Sequence, residues 1–184
     1  MEVTDAFDQF YGAIYRDRWL DLRSALTEKP TQIKRLNLFL DSSSLNVSNP
    51  IASWALNCFR VERTFRPQVQ ACGLLDFFVM DLASFVVANA LEVQENNRVL
   101  DMCAAPGGKA LILAEKLGLN GQLVLNELSK RRFHRLKKVL ESYVPQDILA
   151  RISLRSYDAT KWGVYETKAY DRILVDAPCS AEAH

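Results

Sequence analysis

The chain has 184 residues, of which 49% are hydrophobic and 24% charged, a composition that excludes a disordered chain and describes a folded globular one. The net charge of +1 excludes a molecule-wide basic field, so any affinity for nucleic acid must rest on local patches. Cys58, Cys72, Cys103 and Cys179 share no CxxC spacing and have no nearby histidine pair, so no zinc or other metal site is expected and free thiols in a reducing compartment are.

The start, Met1 to Asp5, is acidic, with neither an apolar signal core nor an Arg-rich presequence, and no run approaches the length of a membrane span. The expectation is a cytoplasmic protein, or a mitochondrial-matrix one if a presequence has been removed. Residues 5 to 28 read as helix, because Phe7, Phe10, Tyr11, Ile14, Leu22 and Leu26 recur at helical spacing. Arg16, Arg18 and Arg23 stand among Tyr15 and Trp19, which suits either a nucleic-acid face or an amphipathic helix with a solvated side. Pro30, Asp41–Ser44 and Asn49–Pro50 mark breaks, so residues 29 to 72 read as loops and short helices, with a basic cluster at Arg60, Arg63 and Arg66. Leu75 to Leu91 returns to helical period, with Asp81 near its middle.

From Asn97 the pattern becomes strand and helix in alternation. Strands are predicted at Arg98–Met102, Gly121–Asn126, Ile152–Ser156 and Tyr170–Val175, with helices at Lys109–Leu117 and Ser129–Ser142. Strands separated by helices imply βαβ crossovers and a parallel sheet. The domain division expected is a helical N-terminal extension over 1–92 and an α/β domain over 93–184.

The first of these strands runs into Cys103-Ala104-Ala105-Pro106-Gly107-Gly108-Lys109, a small-residue turn followed by a helix start. Such a strand–loop–helix lets backbone approach a nucleotide-like ligand closely, and the two glycines remove the Cβ that would obstruct it. An ordinary βα turn is the alternative for a Gly-Gly pair alone. Neither the GxGxxG nor the GxxxxGK[ST] spacing is present, so a phosphate ligand is not the first expectation. Ligands of such sheets sit off the carboxyl ends of the strands, and four acids stand there: Asp101, Glu127, Asp158 and Asp176. Glu127 lies twenty positions beyond Gly107, an offset at which a carboxylate can accept from both ribose hydroxyls. Each acid alone could equally be a helix cap; together they favour a ligand bearing a nucleoside.

The string Asp101–Lys109 resembles the Sun family of S-adenosylmethionine-dependent RNA cytosine-5 methyltransferases, strongly over 97–180 and more loosely over 5–90. Phe7-Asp8-x-x-Tyr11 and Arg18-Trp19-x-x-Leu22-Arg23-x-Ala25-Leu26 are similar to the N-terminal segment of its ribosomal-RNA members. The resemblance implies a Rossmann-like α/β sheet and S-adenosylmethionine as cofactor. It implies that the loop Cys103, Ala104, Ala105, Pro106, Gly107, Gly108 and Lys109 cradles the methionine end of that cofactor. Glu127 would hold the ribose, braced by Arg132, and Asp158 would meet the adenine amine. Asp176 would lie near the methionine amine and the target base. The implied substrate is RNA, ribosomal first and transfer RNA second.

Asp176-Ala177-Pro178-Cys179 points to carbon methylation of a pyrimidine. Carbon 5 of cytosine is a poor nucleophile until a thiolate adds at carbon 6, and a base must later remove the carbon-5 hydrogen. The catalytic candidates are therefore Cys179 and Asp176. In the Sun family a second cysteine, in a Thr-Cys loop, attacks, and the Pro-Cys thiol assists release. With His184 as the last residue that loop and the later strands are missing, so the expectation is the first four strands only, a piece of a longer enzyme without turnover of its own. Lys130, Arg131, Arg132, Arg135, Lys137 and Lys138 form a basic run suited to RNA phosphates or to a solvated helix face. The rival readings are a non-catalytic cofactor- and RNA-binding module, and a nucleotide-dependent oxidoreductase.

Overall fold

The computed structural model describes residues 3–28, 31–41 and 49–178. Residues 3–28 belong to one unit and Thr31–Pro178 form another. In the first, α1 (Val3–Tyr15), a 3-10 turn (Arg16–Arg18) and α2 (Trp19–Thr27) follow the expected helical period. Trp19 is buried and stacks on Tyr11 and Tyr15 at 5.5 and 6.3 Å between ring centroids. Asp8 Oδ1 accepts from Trp19 Nε1 at 3.1 Å and pairs with Arg23 Nε at 2.5 Å. These groups hold the helix pair together, so neither Trp19 nor Arg23 is the free surface group that a nucleic-acid face would need.

The second unit opens on a sheet where loops and helix are expected. Strands β1 (Gln32–Leu36), β2 (Cys58–Arg60) and β3 (Phe77–Asp81) pair antiparallel in the order β2-β1-β3. Two sequence expectations are corrected here: residues 29–72 contain two strands, and of Leu75–Leu91 only α3 (Leu82–Ala90) is helical. The extension over 1–92 is thus not helical throughout. Phe77-Phe78-Val79-Met80 is a continuous apolar run, which satisfies strand and helix periods alike; pairing with β1 decides for strand. The expected break at Ser42–Ser44 lies outside the described residues.

The parallel sheet follows, with β4 (Arg98–Asp101), α4 (Gly108–Glu115), β5 (Gln122–Asn126), α5 (Lys130–Tyr143), the short α6 (Gln146–Leu149), β6 (Ile152–Arg155), the short α7 (Trp162–Tyr165) and β7 (Arg172–Leu174). All four strands are parallel, in the order β6-β5-β4-β7. Val99, Leu123, Leu125 and Leu174 pack with Leu111, Leu113, Leu136 and Leu140 of α4 and α5, while Leu100 and Val124 pack with Trp162 on the opposite face. The chain leaves β4 in one direction through β5 and β6, then returns to lay β7 on its other side. The loops after β4 and β7 therefore part at the sheet's switch point, which opens a crevice.

The antiparallel sheet joins the parallel one through α4. Ile33, Cys58 and Met80 share a buried cluster with Phe85 and Ala88 of α3 and Ile112 of α4. Arg35, 1% exposed, forms a two-pronged ion pair with Glu115 at 2.6 and 3.0 Å, and Leu38 N donates to the same carboxylate.

Candidate functional site

At the switch point lies a cavity of about 350 Å³ lined by the β4–α4 loop, by Asp176 after β7, and by β3 with the start of α3. The loop is shaped by small residues. Gly107 has φ +120°, and a Cβ there would meet Val139 Cγ1 at 2.9 Å; at Gly108 it would meet Phe78 Cε1 at 2.8 Å. The Ala105–Pro106 bond is cis.

Asn126 secures the loop from behind, a role the sequence alone does not reveal. Its buried side chain donates to Met102 O and Tyr157 O, both at 3.0 Å, and accepts from Tyr157 N at 2.8 Å. Its carbonyl accepts from Ala104 N at 2.9 Å. One amide thus joins the ends of three strands, and it continues the acids already expected there.

The four acids have different surroundings. Asp101 lines the cavity and is 1% exposed; Oδ1 accepts from Cys103 N at 3.2 Å, and Oδ2 accepts no hydrogen bond among the described residues. Burial pushes its carboxyl up to about 7, against the pull of Lys109. Asp176 is held at 2.6 Å from Lys109 Nζ, which also donates to Ser84 Oγ at 2.9 Å. Glu127 is buried beside the loop. Its Oε1 accepts from Ser129 N at 2.9 Å, and Oε2 stands 3.5 Å from Arg132 Nε without a hydrogen bond. Arg132 also donates to Ala105 O at 2.7 Å, so it spans the glutamate and the loop. Asp158 is separate: its Oδ1 caps the 3-10 turn Ala159–Lys161, accepting from Thr160 N and Thr160 Oγ1, and these bonds lower its carboxyl below the usual range.

The cavity brings together Cys103, Ala104, Ala105, Pro106, Gly108, Lys109 and Asp176 from the expected set, with Asp101 added. Gly107, Glu127, Arg132 and Asp158 do not line it. Burial and then Asp101 raise the Cys103 thiol above its ordinary range, and burial pushes Cys58 up to about 11. Neither suits a nucleophile, because both favour the thiol over the thiolate. Cys179 lies outside the described residues. The lining residues that sequence reasoning missed include Gln32, Phe78, Val79, Met80 and Ser84, which reach the cavity only through tertiary packing.

A family model described as 16S rRNA methyltransferase RsmB/F matches residues 88–184, more than half of the chain. The 5-cytosine rRNA methyltransferase NSUN4 of Bos taurus is 44% identical over 144 residues, covering 72% of this chain and 37% of the relative. The mitochondrial tRNA (cytosine(34)-C(5))-methyltransferase of Danio rerio is 42% identical over 107 residues, covering 58% and 29%. The crystal structure of NSun6 from Pyrococcus horikoshii with SFG superposes with a TM-score of 0.53 at 31% identity, over 61% of this chain and 28% of that one. The chain spans about a third of the length of the curated relatives it matches. The model match covers the loop, α4, Glu127 and Asp176 together, and by it the chain belongs to the 16S rRNA methyltransferase RsmB/F family.

Proposed function

We propose that this chain binds S-adenosylmethionine and forms the cofactor-holding part of an enzyme that makes 5-methylcytosine in RNA, with ribosomal RNA as the first substrate and transfer RNA as the second. The observation that carries the reading is Asp101 in the wall of the cavity under the β4–α4 loop, with a buried Oδ2 that has no hydrogen bond among the described residues. A buried carboxylate oxygen without a donor costs free energy until a cation or donor arrives. The methionine end of S-adenosylmethionine carries such a cationic group, and the small residues of the loop let Val139 and Phe78 pack against the loop and fix its course along the cavity. The Pyrococcus horikoshii relative was crystallised with SFG, an analogue of that cofactor.

When bound, the cofactor supplies an electrophilic methyl group. The chain's own residues do the rest. Glu127 holds the ribose hydroxyls through Oε2, which is ion-paired with Arg132 but carries no hydrogen bond from it, while Arg132 ties the carboxylate to Ala105 O. Asp158 meets the adenine amine through Oδ2. Lys109 holds Asp176 in place through their ion pair, so that Asp176 accepts from an amine at the methionine end or on the target base. Cys179, the Pro-Cys thiol, assists release of the methylated base, and the thiol that adds at carbon 6 belongs to a Thr-Cys loop beyond these residues. The Danio rerio relative carries a mitochondrial location in its name, which supports the mitochondrial matrix over the cytoplasm for this chain.

Isothermal titration of S-adenosylmethionine into the chain tests the reading. Binding is expected, with NAD(H) giving no heat. Glu127→Ala is expected to weaken it ten- to a hundred-fold, since hydrogen bonds to a charged group contribute about 1.5–3 kcal/mol. Unchanged affinity in that variant would remove Glu127 from the ribose role, and NAD(H) binding without S-adenosylmethionine binding would return the oxidoreductase reading.

A further inference from the structure

We infer that one stripe of α5, carrying Arg131, Arg135 and Lys138, is the track along which phosphates of the substrate RNA strand pass to the mouth of the cavity. This rests on the RNA reading above and adds to it a location. Helix spacing sorts the basic run between 130 and 138 into groups with different tasks. Arg132 is occupied by Glu127 and Ala105 O. Lys130 and Lys137 share another stripe with Glu141, the one acid in the helix, and Lys137 pairs with it at 3.8 Å. Arg131, Arg135 and Lys138 stand at i, i+4 and i+7, are all exposed, and have no ion pair or side-chain hydrogen bond among the described residues.

Two further observations aim this stripe. It adjoins the side of the helix whose Val139 packs against the Gly107 turn, and Arg135 itself lines the cavity beside Lys109 and Cys103. A solvated helix face has no reason to place an unpaired guanidinium on the rim of the site while the neighbouring stripe neutralises its lysine. At about 1.5 Å of rise per residue the three cations span about 10 Å along the helix, and their long side chains reach neighbouring phosphates of one strand. Phosphate contacts carry no sequence information, but they fix register, which is what a base delivered to a cavity requires. The target cytosine must be unstacked to enter, so the strand at this rim is single.

The test uses a fluorescein-labelled, single-stranded, cytosine-containing RNA oligonucleotide and the full chain, with anisotropy read across a salt series. The triple variant R131Q/R135Q/K138Q is expected to bind at least ten-fold more weakly at low salt. Its slope of log affinity against log salt should be shallower by roughly two, at about 0.7 for each phosphate that is no longer neutralised. The variant K130Q/K137Q, on the other stripe, should retain both the slope and the S-adenosylmethionine affinity of the parent, and circular dichroism should show the triple variant folded as the parent is. Equal losses in the two variants, or no loss in the triple, would overturn the track. A parent chain that binds S-adenosylmethionine but not the oligonucleotide would overturn the RNA reading itself.

Discussion

Burial of Asp101 has a consequence for stability that can be read without any ligand. The folded chain holds this proton up to about pH 7, whereas the ordinary carboxyl value is 3.8. The folded state therefore binds more protons than the unfolded one between those limits, and stability falls as pH rises from about 4 to about 7, then levels. A shift of this size corresponds to roughly 4 kcal/mol at most, at about 1.4 kcal/mol per unit. Asp101→Asn keeps the acceptor for Cys103 N and removes the ionisation, so its melting temperature should exceed that of the parent at pH 8 and match it near pH 4. Scanning calorimetry at both pH values checks this; a parallel pH slope in the variant would show that another group titrates. The same variant should lose cofactor affinity, so what stabilises the apo chain disables it.

Between elements, the Arg35–Glu115 pair ties β1 to α4 with both side chains withdrawn from water, at 1% and 5% exposure. Breaking one side strands the other charge, so Arg35→Met should cost about 3–5 kcal/mol in urea denaturation, while Arg35→Met with Glu115→Met should recover most of it. An equal loss in the double variant would mean the pair contributes beyond its own neutralisation. This residue also shows why the first sheet was hard to read. Gln32-Ile33-Lys34-Arg35-Leu36 carries two basic residues, and nothing local signals that Arg35 is buried, because its partner lies 80 positions away. The parallel strands were legible because each is a short run built on apolar residues, and the first two lead into helix starts. Within the site, Cys103–Lys109 announced itself by glycines and small residues, and the acids by their place at strand ends. Gln32, Phe78 and Ser84 were silent, since only folding brings them to the loop. Asn126 was silent too: an asparagine closing a strand resembles any turn residue until its three bonds are seen.

For the molecule as a whole, the cavity belongs to both sheets. A chain cut to begin at residue 93, the boundary expected from the motif, would remove Phe78, Met80 and Ser84 from around the loop and expose Ile112. Such a piece should bind the dye ANS and show non-cooperative unfolding, with weaker S-adenosylmethionine binding than the full chain; a cooperative, tightly binding piece would mean the parallel sheet folds independently. Thr31–Pro178 does form one compact unit. The close fit of Gly108 against Phe78 carries this into heredity. A methyl group at 108 would force the ring at 78 to shift or shrink, so the two positions, thirty residues apart in the chain, are expected to change together. Anyone transplanting the glycine loop into a foreign scaffold would have to bring the β3 strand with it.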